Sequence, residues 1–309
     1  MSRLLLLANP SASAFTGGLH RDIVTILSES HTVEPAWPRD PAESQSMATA
    51  ASGGDFNTVV AMGGDGVVHH VANGLAGTGV TLGIIPAGTT NVVARLLGIA
   101  SKPKQAAADL VRVSNPTEVP LTRLSTTGID GVVKSRYSTF AAGVGMDADV
   151  VAVADRDPSK KSRFGSLHYA RSAAGVVLNE YRSKEPDLCV TIEGERHHGV
   201  AVLVQLHHKY TYFGRVPLAV GNHEPGTLSV LVIERLPLKA VPRILVAASL
   251  GADLNKVAGC FAATNVSSVE IEAGEGALAQ ADGEALGQVR SLVASVQTDL
   301  LRVALRPSH

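Results

Sequence analysis

Long apolar runs are missing from this 309-residue chain. None approaches the ~18 residues of a membrane-spanning helix, and the nearest, Ile244 to Leu250, is far too short. The opening MSRLLLLANPSASA has the arginine, leucines and small residues of a secretory leader. Its apolar stretch, Leu4 to Ala8, nevertheless falls below the ~7–15 residues a leader needs. Cysteine is equally scarce. Cys189 and Cys260 form no C-x-x-C pair, so neither a disulfide framework nor a cysteine zinc site is indicated. The expectation is a chain without a transmembrane segment in a reduced, cytoplasmic setting. Aromatics are 4% of residues, too few for the stacking platforms that hold single strands. A net charge of −1 gives no overall attraction for polyanions, which excludes nucleic acid as the leading partner.

What is present is core material: 45% of residues are hydrophobic and 18% charged, a balance that excludes disorder. At ~100–200 residues per domain the length favours two domains. Short leucine-rich or β-branched runs first alternate with helical stretches, the pattern of an α/β domain with a mainly parallel sheet. Strands are expected over 4–8, 31–36, 58–62 and 82–85, and helices over 18–27, 42–51, 67–75, 91–97 and 102–113. After about Pro116 apolar and polar residues alternate, with strands expected over 119–124, 132–137, 188–192, 200–206 and 228–233. That reads as a mainly antiparallel second domain of sandwich type. The expected domains are 1–118 and 119–296. The closing run Leu300 to Leu305 can join either, and residues 297–309 are the candidate return to the first.

Two glycine-rich turns, each between a buried strand and a helix, carry the strongest chemical signal. In Gly63-Gly64-Asp65-Gly66 the glycines permit φ > 0 and leave no Cβ in the way, so backbone N–H groups can converge on an anion. The helix that follows adds the positive end of its dipole. Asp65 inside such a loop would repel a bare phosphate, which points to a magnesium nucleotide. The second turn, Pro86-Ala87-Gly88-Thr89-Thr90-Asn91, repeats the design with hydroxyl and amide groups, and Asn9-Pro10-Ser11-Ala12-Ser13 ends the first strand. In an open parallel sheet all three gather at the carboxyl ends of the strands, where ligands bind. No G-x-x-x-x-G-K-[ST] occurs and no G-x-G-x-x-G follows a strand, which disfavours P-loop NTPases and Rossmann dehydrogenases.

This ordered set, with Asn9-Pro10 in front, resembles the diacylglycerol kinase catalytic domain family, which also holds sphingosine, ceramide and bacterial lipid kinases. The likeness continues in Gly143-Val144-Gly145-Met146-Asp147-Ala148, in Phe164-Gly165 with Tyr169, and in Gln280-Ala281-Asp282-Gly283-Glu284. G-G-D-G alone is shared with NAD kinases; the series from residue 9 to 284 is the specific signal. The resemblance implies an ATP-dependent lipid kinase, with ATP and Mg²⁺ bound in a cleft between the two domains. It also implies a lipid hydroxyl arriving at the membrane surface from the second domain, and thus a peripheral place at the inner membrane face. Asn9, Gly63, Gly64, Asp65, Gly66, Gly88, Thr89 and Asn91 would bind nucleotide, with Asp65 holding Mg²⁺ through it. Asp65, Asp282 and Glu284 would be catalytic: of the last two, one takes the hydroxyl proton and the other holds metal or orients the base, and Glu284 is preferred as base.

The chain departs from the family pattern at several places. Val67 stands where a threonine usually follows G-G-D-G, Val92 where an aspartate follows Asn91, and Ser13 where the front loop has a glycine. Pro225 replaces the aspartate that helps bind a structural Mg²⁺ in bacterial members. These changes keep open a catalytically weak nucleotide- or lipid-binding homologue, and the shared G-G-D-G keeps open a soluble kinase of the NAD type. The adjacent pairs His69-His70, His197-His198 and His207-His208 can each offer at most one ligand to a given site and read as surface or packing residues. Cys189 and Cys260 read as small core residues. The basic run Arg156, Lys160, Lys161 and Arg163 beside Phe164 reads as a solvated face or as a patch for anionic headgroups.

Overall fold

Four consecutive leucines set the first strand. In β1 (Ser2–Ala8) Leu4 to Ala8 are all buried, as in a strand covered on both faces. In this computed structural model, which describes residues 2–155, 175, 181 and 183–306, β1 is paired in parallel with β2 (His31–Ala36) on one side and β3 (Phe56–Gly63) on the other. The basic run from Arg156, Phe164-Gly165 and Tyr169 lie outside the described residues.

The chain divides into two units, residues 1–121 with 298–309 and residues 122–297. In the first, β4 (Thr81–Pro86) joins β3, and the end of β16 (Glu284–Val303) joins β4, again in parallel. The strand order β2-β1-β3-β4 reverses direction between β1 and β3. At such a switch point the connections leave to opposite sides and open a crevice at the carboxyl ends of the strands. Between the strands run α1 (Gly17–Leu27), capped by the Thr16 hydroxyl accepting from Leu19 N–H, α2 (Pro41–Ser52), capped by Asp40, and α3 (Asp65–Leu75). α4 (Val92–Leu96) is shorter than the 91–97 expected, because Asn91 is left-handed (φ 49°). α5 (Pro103–Val111) completes the layer and buries Ala106, Ala107 and Leu110. Leu4, Leu6, Ile23, Val60, Met62 and Ile85 belong to one core.

The second unit is an antiparallel β-sandwich. It is entered through β5 (Thr117–Gly128), which pairs with β6 (Val133–Ser138). β7 (Ala141–Gly145), β10 (Ala201–Gln205), β13 (Leu228–Ile233) and β14 (Cys260–Val266) form one run of neighbours. β8 (Leu188–Ile192) and β9 (Glu195–Gly199) form a second. The long strand β15 (Ser268–Ala281) serves both: Val269–Ala273 pair with β8 and Ala279–Ala281 with β7. Its register breaks between Glu272 and Ala277, around Gly276 (φ 96°), and a bend there lets one strand take part in two leaves. Valines and leucines of both leaves share one core, among them Val144, Val190, Val204, Val230, Ile271 and Leu292. α6 (Met146–Asp155) follows β7, the hairpin β11 (Thr211–Phe213) and β12 (Val216–Leu218) follows β10, and α7 (Ala240–Leu250) follows β13. No helix among the described residues is long and apolar enough to cross a membrane.

Candidate functional site

The three loops singled out above meet at the carboxyl ends of β1, β3 and β4. Asn9 N–H donates to Met62 C=O (3.0 Å), Ala87 N–H to Gly63 C=O (2.8 Å) and Ala14 N–H to Ala87 C=O (2.9 Å), so backbone alone ties the loops together. Asn9 Oδ1 accepts from Ser11 N–H (2.8 Å) and fixes its own turn. The Thr89 hydroxyl lies 3.4 Å from that of Ser13. Asn91 closes a ring on Gly88, its Oδ1 accepting from Gly88 N–H (3.0 Å) and its Nδ2 donating to Gly88 C=O (2.8 Å).

The glycines serve contact rather than backbone freedom. Neither Gly63, Gly64, Gly66 nor Gly88 has a positive φ, contrary to one of the two reasons given for them. A Cβ on Gly88 would instead stand 2.5 Å from Gly64 Cα and 2.9 Å from Asn91 Oδ1, and one on Gly63 would stand 2.7 Å from Val67 Cγ2. Val67 therefore packs where the family's threonine would offer a hydroxyl. Val92 is buried in α4. Gly88→Val is expected to abolish the rise in melting temperature that saturating ATP gives the wild type, about 2.7 kcal/mol at a hundredfold excess over Kd. A melt without ATP shows that the variant is folded, and a wild-type shift in it would remove this turn from the nucleotide site.

Asp65 opens α3, whose N-cap is Gly64 and whose N-terminus has no side-chain cap. The first-turn N–H groups and the dipole of this eleven-residue helix thus point out of the sheet's carboxyl edge. Asp65 Oδ1 accepts from Val93 N–H (3.0 Å), which locks the second glycine turn onto the first. Among the described residues no group of three or more His, Cys, Asp or Glu could hold a metal ion by itself. One carboxylate at a helix N-terminus fits a magnesium ion held mainly by nucleotide phosphates and water. At Pro225 the loop is held by protein: Asn265 Oδ1 accepts from Glu224 N–H (2.7 Å).

In the second unit Asp282 and Gly283 are the two loop residues of the β15–β16 hairpin, both with φ > 0 (55° and 81°), and Ala281 and Glu284 pair across it. This is the D-G hairpin turn, whose twist matches that of the strands. The two carboxylates flanking Gly283 differ in their surroundings. Asp282 is 4% exposed and turns into its own unit. Its oxygens accept from the N–H groups of Thr139 (2.7 Å), Phe140 (3.0 Å) and Ala141 (3.1 Å) and from the hydroxyls of Ser138 (2.7 Å) and Thr139 (2.9 Å). Five donors surround this carboxylate, the Ser138 hydroxyl also lying 2.8 Å from Ala141 C=O. Glu284 stays partly exposed.

A second clamp holds the other side of the turn. Gln280 Oε1 accepts from Gly283 N–H (2.9 Å), and Gln280 Nε2 donates to Asp147 (2.5 Å) and lies 3.2 Å from the Tyr210 hydroxyl. Tyr210 donates to Asp147 as well (2.5 Å). Burial pushes the Asp147 carboxyl above the usual carboxylate range, and the Tyr210 and Gln280 hydrogen bonds pull it partly back. Asp147 and Gln280 lie in motifs visible in the sequence; Ser138, Thr139 and Tyr210 carried no signal. Asp282→Ala would leave three buried N–H groups without an acceptor and is expected to lower unfolding stability by about 3 kcal/mol or more. Urea titration measures this, and a loss below about 1 kcal/mol would mean that the turn is held elsewhere.

The histidine pairs resolve into packing. His69 and His70 lie in α3, both buried, their rings edge-on with centroids 5.1 Å apart. His197 stacks on Phe261. His207 Nε2 is 3.0 Å from Thr139 C=O, an acceptor, so this nitrogen carries the ring proton; burial pushes the imidazole down to about 4. Both cysteines are free and half-buried rather than core residues.

Comparison with known proteins agrees with this geometry. The model described as diacylglycerol kinase catalytic domain matches residues 3–124, and that described as YegS C-terminal NAD kinase beta sandwich-like domain matches residues 141–305. A diacylglycerol kinase of Mycobacterium tuberculosis is 35% identical over 130 residues, 42% of this chain and only 40% of that protein's length. A Pseudomonas aeruginosa protein named "Probable lipid kinase YegS-like" is 29% identical over 266 residues, 81% of this chain and 77% of the other. A crystal structure of a diacylglycerol kinase from Bacillus anthracis has a TM-score of 0.69 at 18% identity, covering 99% of this chain and 97% of its own. An NAD kinase from Archaeoglobus fulgidus, solved in complex with ATP, has a TM-score of 0.51 at 14% identity over 98% and 94%. At such identities the two structures attest the fold alone. One family model lies on each unit, and the second spans more than half of the chain: the chain belongs to the YegS C-terminal NAD kinase beta sandwich-like family and carries a diacylglycerol kinase catalytic domain ahead of that sandwich.

Proposed function

We propose that the protein is a lipid kinase that transfers the γ-phosphate of ATP to a hydroxyl of diacylglycerol or a related lipid. The observation that carries the reading is the junction of loops at the carboxyl ends of β1, β3 and β4. Two glycine turns approach backbone to backbone there, at Gly64 and Gly88, beside a helix N-terminus with no side-chain cap. Phosphates need that combination of N–H donors, positive dipole and absent Cβ atoms. Asn9, Gly63 to Gly66, Gly88, Thr89 and Asn91 bind the nucleotide. When bound with it, Mg²⁺ neutralises charge that develops on the transferred phosphoryl group. Asp65 would hold that ion at the head of α3, and it keeps the two turns in register through Val93. Glu284 takes the proton from the acceptor hydroxyl, while Asp282, surrounded by the donors of Ser138 to Ala141, positions it.

Labelled ATP offered with diacylglycerol and other hydroxyl lipids in vesicles, and separately with NAD, tests the reading. Label in a lipid is the expected result. Label in NAD with none in any lipid would overturn it, and ATP binding with transfer to nothing would make the chain a nucleotide-binding homogue of weak or no activity, in keeping with Val67, Val92 and Pro225.

A further inference from the structure

α7 is apolar on both of its sides. Ala240 is buried, and Val241, Ile244, Ala247 and Ala248 are partly covered. Yet Leu245, Val246 and Leu250 are 50%, 57% and 76% exposed, and Leu238, just ahead of the helix, is 40% exposed. At ~100° per residue Pro242, Leu245, Val246 and Leu250 share the outward arc with Ser249, whose hydroxyl donates to Val246 C=O, and Lys239 and Arg243 lie on the same side. A helix on a water-facing surface normally turns polar side chains outward; this one turns out leucine and valine. The neighbouring hairpin does the same. Phe213 and Val216 are direct cross-strand partners, 48% and 47% exposed, with Arg215 in the turn between them. The residue after β12 ties the hairpin to the helix, Ala219 N–H donating to Ala248 C=O at 3.0 Å.

The charge within these two segments has one sign. Residues 206–223 and 235–252 contain no aspartate or glutamate, although the whole chain carries a net −1. Arg235 is paired with Glu185 (2.8 Å), while Arg215, Lys239 and Arg243 are exposed. Apolar side chains accompanied by exposed cations suit the boundary of an anionic bilayer, where the first enter the acyl region and the second meet headgroups. A second copy of this chain suits them poorly, because a two-fold contact would gather Lys239, Arg243 and their equivalents in one interface with no carboxylate from these two segments to answer them.

We propose that α7 and the β11–β12 hairpin form a membrane-docking surface selective for anionic lipid. The inference rests on the lipid-kinase reading only for what the docked enzyme meets there. Its test needs neither ATP nor acceptor: the whole protein is sedimented with vesicles of phosphatidylcholine, with and without phosphatidylglycerol. Wild type is expected to partition to the anionic vesicles, less so as salt rises. Leu245→Asp with Val246→Asp should lower the partition constant at least ~10-fold. Lys239→Glu with Arg243→Glu should abolish the preference for phosphatidylglycerol. All three proteins should melt alike and be monomers by light scattering, since the altered side chains face outward.

Wild-type partition by the Asp variant, or no partition by the wild type, overturns the proposal. So does a wild-type dimer that the same changes split, which would make the face an interface between copies. Transfer to acceptor lipid dispersed in detergent is measured in parallel and should be unchanged in both variants. Its loss in every protein, wild type included, would sink the kinase reading and leave the docking surface standing.

Discussion

Glu284→Gln is expected to lower kcat by about 10²–10⁴-fold, the scale of general-base loss, with the ATP-induced thermal shift unchanged. The amide keeps the size of the side chain and its place at the head of β16, opposite Ala281, but it cannot take a proton. The turn that presents it is fixed from two sides, by the donors on Asp282 and by Gln280 on Gly283 N–H, so the substitution leaves the scaffold intact. Asp282→Asn should differ in kind. An amide group placed among five donors opposes at least some of them, so stability and kcat should fall together. Full activity in Glu284→Gln would remove this residue from the chemistry. A variant of Asp282 that is inactive yet as stable as wild type would move the base to Asp282.

The second large effect is expected from Asp65→Asn, a loss of kcat of at least about 10²-fold with the fold preserved. Asn retains Oδ1, so the bond from Val93 N–H and the junction of the two glycine turns survive. What disappears is the negative charge at the α3 N-terminus. If that charge holds Mg²⁺ with the nucleotide, the variant should need more magnesium to reach its residual rate, and its melting temperature without ligand should match the wild type. An unchanged kcat in a folded Asp65→Asn protein would show that the carboxylate serves only to cap α4.

Much of the site's location was legible in the chain before folding. Gly63 to Gly66 and Pro86 to Asn91 lie between a buried strand and a helix, and that placement alone puts them at the carboxyl edge of a parallel sheet. The reason for the glycines was not legible. A local reading offers positive φ or close approach equally, and only the 2.5 Å separation between a Gly88 Cβ and Gly64 Cα decides for approach. The different surroundings of Asp282 and Glu284 were hidden for a related reason. Two carboxylates flanking a glycine look alike in sequence, while the donors that surround one of them lie about 144 positions earlier in the chain.

Sequence by itself determined the order of the two units and the main strands, because apolar runs and alternation are properties of one element and repeat along it. The strands at His31–Ala36, Leu188–Ile192 and Leu228–Ile233 were read to the residue. Tertiary structure alone decided which side chains meet. Asp147 from α6, Tyr210 from the loop before β11 and Gln280 from β15 come together, and burial, a property of the assembled unit, pushes up both the Asp147 carboxyl and the Tyr210 hydroxyl. It also decided that the apolar run Ile244 to Leu250, too short to span a membrane, turns Leu245, Val246 and Leu250 outward. Hydrophobicity along a chain says that a segment avoids water; only packing says which of its faces has been given a partner.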